Sequence, residues 1–268
     1  MSKRRFTILG CGSSPGVPRI TGEWGACDPA NPKNRRTRAS LLVEQFADDG
    51  ALTSIVVDTG PDFRSQMIAA EAYDLHAVVL THAHADHLHG LDDVRSFVYK
   101  NEHRMPVWGD PATMERVLEG FRYVFETPPG SNYPPIARAM TIDIGDVFGV
   151  EGPGGTVPFL PVVQHHGEGH SLGFRIGDFA YCTDVSDFPA DSLPKLAGLE
   201  TLVIDCLQYR RHPSHLSLQQ AMDWIEKLQP RRAILTHMHI PLDYETVRRE
   251  TPRHIEPAYD GMVIEVDL

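Results

Sequence analysis

Short runs of apolar and β-branched residues recur along the chain, each bounded by glycine, proline or polar residues. Runs of this length and composition are typical of β-strands with one or both faces buried. The pattern predicts strands over Phe6–Leu9, Ser40–Glu44, Ser54–Asp58, Ala77–Leu80, Val157–Val163, Phe179–Thr183, Leu202–Asp205, Ala233–Thr236 and Met262–Val266.

Between several of these strands the apolar residues follow a helical spacing, so that one face of the segment can be buried. Strands that alternate with helices are typical of sheets covered by helices, rather than of a sandwich of bare sheets. We therefore expect a mixed α/β fold, with Ser217 as the N-cap of its last predicted helix. The pattern places helices at Pro61–Ala72, Leu91–Asn101, Ala112–Phe121 and Ser217–Leu228.

Two segments contain too much proline and glycine for a continuous helix or a central strand. Thr127–Pro135, with the sequence TPPGSNYPP, predicts a loop or lid. Glu151–Thr156, with the sequence EGPGGT, predicts a tight connection between strands. Neither segment separates two cores, so we expect a single domain over residues 1–268.

Composition and charge limit the partners of this domain. The chain is 41% hydrophobic and 23% charged, as ordinary globular proteins are, which excludes a disordered or fibrous protein. Because 36 acidic residues outnumber 25 lysines and arginines, no broad basic surface is expected to neutralise an extended nucleic acid. The apolar runs are too short for a membrane helix. A homodimer is compatible with these features.

The cysteines and the start of the chain bear on the compartment. The four cysteines show no CxxC spacing, which suits a reducing environment better than a disulfide scaffold. The apolar stretch after Lys3–Arg5 stops at Gly10 and is too short for a signal peptide. We therefore expect a cytoplasmic protein.

The strongest chemical signal directly follows the predicted strand Ala77–Leu80. His82, His84, Asp86 and His87 fall within six positions. Imidazole nitrogens and carboxylate oxygens are good ligands for divalent cations such as zinc and manganese. A solvated turn has no use for three imidazoles beside a carboxylate. The spacing therefore predicts a metal site, with two adjacent ions feasible.

The motif Thr81–His87, with the sequence THAHADH, resembles the HxHxDH signature of the metallo-β-lactamase superfamily of hydrolases. This resemblance implies a four-layer αββα sandwich and two divalent metal ions. It covers nearly the whole chain, from Gly10–Gly12 to the last strand. The ligands that it implies are His82, His84 and His166 for one ion and Asp86, His87 and His237 for the other, with Asp184 as the bridge.

Neighbouring residues leave some of these assignments open. His165 adjoins His166 and is an alternative ligand, although Gly167 fits the superfamily pattern around His166. Asp58 resembles the superfamily aspartate that orients metal ligands without binding the metal. The glycine-rich stretch Gly10–Pro18 lacks the context of a nucleotide loop, so we interpret it as a turn near the active site.

Two metal ions generate a nucleophile from water, but they do not select the substrate. The segment Arg210–Ser217 places cations and an imidazole at a predicted helix start, a setting that favours an anion and a proton donor. In the phosphodiesterase branches of the superfamily, a histidine at a similar place assists catalysis. The resemblance therefore implies that His215 binds substrate and is catalytic together with Asp86, whereas His212 is interpreted as a surface residue.

Two groups of arginines are weaker phosphate candidates. Arg210 and Arg211 are close to His215 but carry no further signal. For Arg35, Arg36 and Arg38, a solvated loop and phosphate recognition are equally compatible with the sequence NRRTR.

The branch of the superfamily that the chain resembles most is that of the phosphoribosyl cyclic phosphodiesterases. The stretches GCGSSPGVP, VDTGPDFR, TDVSDFP and SHLSL all have counterparts there. The phosphoribosyl cyclic phosphodiesterase has an additional cysteine-rich zinc site near the N-terminus. A histidine after the last active-site ligand completes that site. Here only Cys27 remains, and His239 has a different spacing. The departure makes a structural zinc doubtful and leaves the reaction class intact.

The function that this resemblance implies is hydrolysis of a small phosphodiester, such as a cyclic sugar phosphate or a nucleotide, by a hydroxide that bridges the metals. Ribonuclease Z-like RNA processing is an alternative, but the basic arm of that enzyme has no counterpart. The region Tyr123–Thr156 contains one basic residue, Arg138, and four acids. Thioester or lactam hydrolysis would use the same metals and has no evident use for His215. A retired, non-catalytic scaffold would be expected to have lost ligands.

Overall fold

The computed structural model describes residues 3–268, and within them the strands form two seven-stranded sheets. The first sheet contains β1 (Lys3–Gly10), β2 (Ser40–Phe46), β3 (Leu52–Val57), β4 (Ala77–Val79), β5 (Met105–Gly109), β6 (Ala137–Thr141) and β14 (Met262–Asp267). The second sheet contains β7 (Phe148–Val150), β8 (Val157–His166), β9 (Gly169–Ile176), β10 (Phe179–Cys182), β11 (Thr201–Asp205), β12 (Arg232–Thr236) and β13 (Ile255–Pro257).

Both sheets are mixed. The first has the order β14-β1-β2-β3-β4-β5-β6, with antiparallel pairing from β14 to β3 and parallel pairing from β3 to β6. The second has the order β13-β12-β11-β10-β9-β8-β7, parallel from β13 to β10 and antiparallel beyond it. The last strand, β14, returns to the first sheet beside β1, so both ends of the described chain belong to one sheet.

Apolar side chains fill the space between the sheets and both outer layers. Between the sheets, the ring of Phe6 on β1 stacks on that of Phe179 on β10 with 3.8 Å between their centroids. Other clusters join each sheet to the helices outside it. The helices are α1 (Phe63–Ala69), α2 (Ala85–Leu88), α3 (Arg95–Asn101), α4 (Pro111–Phe125), α5 (Leu218–Leu228) and α6 (Tyr244–Glu250). The predicted αββα sandwich is thereby confirmed.

Each predicted strand is present, with ends shifted by a few residues. The predicted helix Pro61–Ala72 is too long, because the chain leaves the helix after Ala69 and Glu71 adopts a left-handed φ of 53°. The predicted helix Leu91–Asn101 begins as a 3₁₀ turn over Leu91–Val94 and becomes α-helical only in α3. Sequence analysis missed the strands β5, β6, β7, β9 and β13 and the helices α2 and α6.

The two proline- and glycine-rich segments have the predicted character. Residues 127–135 contain no helix or strand, and residues 151–156 connect β7 to its antiparallel neighbour β8. Among residues 3–268, no helix combines the length and apolar character needed to cross a membrane.

Candidate metal centre

The predicted ligands gather at the ends of strands from both sheets. His82, His84, Asp86 and His87 follow β4 and continue into α2. His166 is the last residue of β8, Asp184 comes two residues after β10, and His237 directly follows β12. Because the rigid strands end at one place, residues far apart in sequence come together there. The structure thus brings all seven predicted ligand side chains into one cluster.

The seven side chains form two groups on either side of Asp184. The ligand atoms of His82, His84 and His166 lie within 4.8 Å of one another, and so do those of Asp86, His87 and His237.

Asp184 Oδ1 lies 3.9 Å from His82 Nε2 and 3.7 Å from His166 Nε2. Its other oxygen, Oδ2, lies 3.1 Å from His87 Nε2 and 3.5 Å from His237 Nε2. One carboxylate therefore faces both groups, as a bridging ligand would.

Buried nitrogens without hydrogen bonds fit such a metal centre. The Nε2 atoms of His82, His87 and His237 are shielded from solvent and make no hydrogen bond. Leaving buried polar atoms unpaired costs free energy, whereas metal coordination would satisfy them. Burial and the neighbouring His87 hold the pKa of His82 well below its usual value, which keeps the ring in the neutral form that a metal requires.

Hydrogen bonds to the other ring nitrogens orient two of the ligands. His87 Nδ1 donates to Asp58 Oδ2 over 2.7 Å, and Asp58 also accepts from Thr81 N and Oγ1 at 2.8 Å. His166 Nδ1 donates to the carbonyl oxygen of Ser214 over 2.7 Å. Such contacts fix the tautomer and direct Nε2 towards the cluster. Asp58 thus occupies the orienting position that the sequence resemblance implies.

Three residues of the centre have a left-handed backbone. The φ angles of Asp58, Asp184 and His237 are 67°, 54° and 58°. This conformation is unfavourable for residues other than glycine and is maintained only where the surroundings impose it. Each of the three residues follows a strand, so the backbone bends at the point where its side chain enters the centre.

The structure distinguishes the two adjacent histidines on β8. His166 is buried, with its Nε2 3.3 Å from His84 Nδ1, whereas His165 is exposed. Neighbouring residues of a strand point to opposite faces, so only one of them can join the cluster. His166 is the one that does.

His215 lies against both groups. Its ring centroid is 4.8 Å from that of His166 and 4.6 Å from that of His237. His215 Nδ1 donates to Asp205 Oδ2 over 2.7 Å, and Asp205 is fully buried at the end of β11. Burial by itself would lower the pKa of His215, but the adjacent Asp205 outweighs it and raises that pKa to about 9. An imidazolium beside the cluster can donate a proton.

The residues around His215 have more peripheral positions. The exposed His212 ring is 5.3 Å from that of His215, and Arg210 and Arg211 are exposed on the same loop. The loop leads into α5, where Ser217 is the N-cap as predicted.

Comparison with known proteins assigns this fold and centre to a family. The model of the beta-lactamase superfamily domain matches residues 53–238, which contain all seven predicted ligands. The chain belongs to the metallo-β-lactamase superfamily. The resemblance noted in the sequence is thus confirmed.

Several solved structures that are similar to this chain have different names. A solved diphosphatase of the PhnP family is 32% identical, with a TM-score of 0.87, and the match covers 99% of this chain and 98% of that one. Zinc-bound PqqB from Methylobacterium extorquens, at 19% identity and a TM-score of 0.72 over 98% of this chain and all of that one, shares the fold. So does the short form of human tRNase Z, at 15% identity and a TM-score of 0.63, with the same coverage.

A curated relative has a different name. The octanoyltransferase of Porphyromonas gingivalis (strain ATCC BAA-308 / W83) is 33% identical over 268 residues. The match covers 98% of this chain but 52% of the relative, so the chain spans about half the length of that protein.

The N-terminal segment around Cys27 does not form a cysteine-rich zinc site with His239. His239 Nδ1 lies 2.9 Å from Ser13 Oγ, and its Nε2 lies 2.7 Å from Arg19 Nη2, so both ring nitrogens already have partners. The Cys27 thiol donates towards the carbonyl oxygens of Ile240 and Leu242. These hydrogen bonds hold the segment and leave neither ring nitrogen of His239 without a partner.

The arginines of this segment also have partners within the fold. Arg36 is buried, with Nη2 donating to Asn34, and Arg35 lies over the Trp24 ring. Arg38 pairs with Asp62 at 3.1 Å. The solvated-loop interpretation of NRRTR is therefore wrong for Arg36, and these contacts give no support to phosphate recognition.

Sequence analysis did not single out Asp205, Asp110 or His170. Asp205 appeared there only as the end of a predicted strand, yet it orients His215. Asp110 and His170 form a second carboxylate–imidazole pair near the centre. Asp205 ends an apolar strand that the sequence predicted, and this position is a signal that could have identified it, whereas Asp110 follows β5, which the sequence did not predict.

Proposed function

We propose that the protein is a dinuclear-metal phosphodiesterase acting on a small phosphodiester, such as a cyclic sugar phosphate or a nucleotide, within a single domain over residues 1–268. The observation that carries the proposal is the position of Asp184 between two histidine groups, with His215 against both. The position of Asp184 suits a bridge between two divalent ions. His215 adds a proton donor for a leaving oxygen.

The ligand set follows from the two groups. The proposed ligands of one ion are His82, His84 and His166, those of the other are Asp86, His87 and His237, and Asp184 contacts both. When bound, two divalent ions, zinc or manganese, would activate water at neutral pH and offset the negative charge of a phosphate.

The protein's own groups supply the remaining steps. His215 donates a proton from Nε2 to the leaving oxygen, and Asp205 holds the ring in place through Nδ1. Asp86 is half-buried at the edge of the cluster, 3.4 Å from His87 Nε2 and 3.7 Å from His237 Nε2. We propose that it also orients the attacking water.

Several observations favour a small phosphodiester over the alternatives. The diphosphatase with 32% identity also acts on a phosphate linkage. An imidazolium beside the cluster can protonate an alkoxide leaving group, whereas the thiolate released from a thioester needs no such acid. RNA processing by a ribonuclease Z-like arm has no support, because residues 123–156 form the end of α4, a loop and two short strands with acidic surroundings.

The surroundings of the cysteines support a cytoplasmic setting. All four are unpaired and buried within the described chain. Such thiols are typical of proteins in a reducing compartment.

The test is turnover of bis(p-nitrophenyl) phosphate by protein loaded with manganese or zinc, alongside a thioester and a β-lactam. Asp184→Ala removes the proposed bridge, and Asp223→Ala removes an exposed carboxylate on α5 as the matched control. We expect turnover of the phosphodiester, loss of that turnover in Asp184→Ala, and retention in the control. Turnover of the thioester or lactam alone would refute the proposal.

A further inference from the structure

Two buried threonines stand at matching places beside the metal centre. Thr183 directly precedes Asp184, Thr236 directly precedes His237, and both threonines are fully buried. Asp184 and His237 both have a left-handed φ. The two hydroxyls nevertheless differ: Thr183 Oγ1 donates to Asp184 Oδ2 over 2.7 Å, whereas Thr236 Oγ1 makes no hydrogen bond within the described chain. Only the first hydroxyl is thus engaged with a proposed ligand.

The main chain at Thr183 and Asp184 is held by two further side chains. Gln164 Nε2 donates to the carbonyl oxygen of Thr183 over 2.8 Å, and Ser171 Oγ donates to that of Asp184 over 2.7 Å. Gln164 and Ser171 are fully buried Cα partners on β8 and β9, and Gln164 Nε2 also donates to Ser171 Oγ over 2.9 Å. These contacts fix the backbone of Asp184, but they do not act on its side-chain torsions.

The Thr183 hydroxyl acts on those torsions. The terminal torsion of an aspartate has a broad energy minimum, so a hydrogen bond to one oxygen selects an orientation of the carboxylate. The bonded oxygen, Oδ2, faces the second of the two ligand groups, which consists of Asp86, His87 and His237. Oδ1 faces the first group, which consists of His82, His84 and His166. The hydroxyl therefore acts on one side of the carboxylate only.

We propose that Thr183 is a positioning residue that holds the carboxylate of Asp184 for the ion of the second group. The inference rests on the dinuclear centre of the proposed function and adds a residue outside its seven ligands. Because the hydroxyl directs Oδ2 towards the second group, its removal weakens metal binding by that group and not by the first. A side chain that hydrogen-bonds a metal ligand typically contributes about 10–100-fold to metal affinity.

The test is metal affinity, measured on chelator-treated protein by competition with a chromogenic chelator. Two backgrounds each leave one group intact: His84→Ala removes a ligand of the first group, and Asp86→Ala removes a ligand of the second. His84 is exposed and Asp86 is half-buried, so neither change opens the core. In each background, Thr183→Val removes the hydroxyl at a nearly constant volume, and Thr183→Ser retains it. Thr236→Val is the matched control.

In the His84→Ala background, where the second group remains, we expect Thr183→Val to lower the affinity for zinc or manganese about tenfold. Thr183→Ala, which also lacks the hydroxyl, should lower it in the same direction. In the Asp86→Ala background, where the first group remains, both changes should leave the affinity unchanged. Thr183→Ser should retain the affinity in either background. Thr236→Val should do the same, because the hydroxyl that it removes has no partner in the described chain.

Urea unfolding of the metal-free proteins separates positioning from a purely structural role. If the only role of Thr183 is to pair a buried hydroxyl, Thr183→Val lowers the stability of the metal-free protein and weakens metal binding by both groups equally or by neither. Either result would overturn the proposal. A higher metal affinity of the second group in Thr183→Val would overturn it as well.

The affinity measurement requires no turnover, so this inference and the proposed function can fail separately. If the wild-type protein binds two ions without hydrolysing the phosphodiester, and the second group depends on the Thr183 hydroxyl, the phosphodiesterase proposal fails and the positioning role stands. If the wild-type protein hydrolyses the phosphodiester but Thr183→Val leaves the affinity of the second group unchanged, the positioning role fails and the function stands. Absence of metal binding in the wild-type protein would refute both.

Discussion

Buried carboxylates fix the imidazoles of the centre one by one. Asp58 and Asp205 are both fully buried, and each accepts from the Nδ1 of a histidine at 2.7 Å. The two rings are thereby oriented before any ligand binds, so the ordering entropy is not lost at the time of reaction. The same chemistry serves different purposes: His87 faces the cluster as a ligand, whereas His215 stands beside it as an acid.

The role of His215 predicts a separation of metal binding from turnover. His215→Ala should lower kcat for a phosphodiester by about 10²–10⁴-fold, the usual contribution of a general acid. Metal content, measured on the purified protein by elemental analysis, should stay at the wild-type value. Asp205→Asn should also lower kcat, because the ring loses the carboxylate that favours its protonated form.

His212→Ala is the control for this prediction, because its ring is close to His215 but exposed. If His215→Ala loses metal, His215 is a ligand and not an acid. Unchanged turnover in that variant would remove it from the mechanism altogether.

Among single residues, the sequence identifies the proposed metal ligands better than it identifies the carboxylates that orient histidines. The spacing of His82 to His87 is local, so the motif itself predicts a metal site. Asp205 and His215 meet because β11 ends beside the loop before α5, and Asp110 meets His170 because β5 and β9 lie in facing sheets. Such contacts depend on how the sheets are arranged, which no short stretch of sequence encodes.

Among the helices and strands, α5 is the element that positions His215, the proposed general acid. Ser217 Oγ accepts from Gln220 N at 3.3 Å, and Gln220 Oε1 accepts from Ser217 N at 3.2 Å, which makes a capping box. Leu216 N also donates to Asp205 Oδ1, so the turn before the helix is tied to β11. The start of α5 thus holds the backbone that carries His215.

Removing the cap should therefore destabilise the protein. Ser217→Ala leaves backbone N–H groups of the first turn unpaired, and we expect a loss of about 1 kcal/mol in the free energy of unfolding. Urea denaturation followed by circular dichroism measures the change. Ser217→Thr keeps a capping hydroxyl and should lose less. Equal losses in the two variants would show that packing of the buried residue, and not the cap, is responsible.

The elements that sequence analysis missed share a physical cause. β13 has three residues, β5 contains Pro106, and β9 is interrupted by Gly173 and Arg175. None of them has a strong intrinsic strand pattern. They are extended because their neighbours in the sheet offer hydrogen-bond partners, so tertiary pairing decides their structure. The N-cap at Ser217 was predictable, because capping depends on adjacent residues only.

Across the whole molecule, the centre connects the two sheets. His82, His84, Asp86 and His87 follow a strand of the first sheet, whereas His166, Asp184 and His237 follow strands of the second. Sequence alternation predicted the class of fold, but the strand order comes from parallel pairings between distant segments. The metal ligands are thus distributed over both sheets although the motif itself is local.

This distribution predicts that metal binding stabilises the packing of one sheet on the other. A ligand present at 100 times its Kd stabilises the folded state by about 2.7 kcal/mol, since the unfolded chain cannot assemble the two groups. For a protein of this size that free energy corresponds to a rise in Tm of roughly 5–10 °C. Calorimetric unfolding of chelator-treated protein, with and without added zinc or manganese, measures the rise.

Asp184→Ala should lose most of this rise, because its carboxylate is the group that faces both sets of ligands. Asp223→Ala, on the exposed side of α5, should keep it. An equal rise in Asp184→Ala and the wild-type protein would mean that the stabilising ion binds elsewhere. Since His239 has both ring nitrogens occupied by hydrogen-bond partners, the segment around Cys27 offers no comparable set of free ligands. Metal-dependent stability should therefore follow the seven residues that join the sheets.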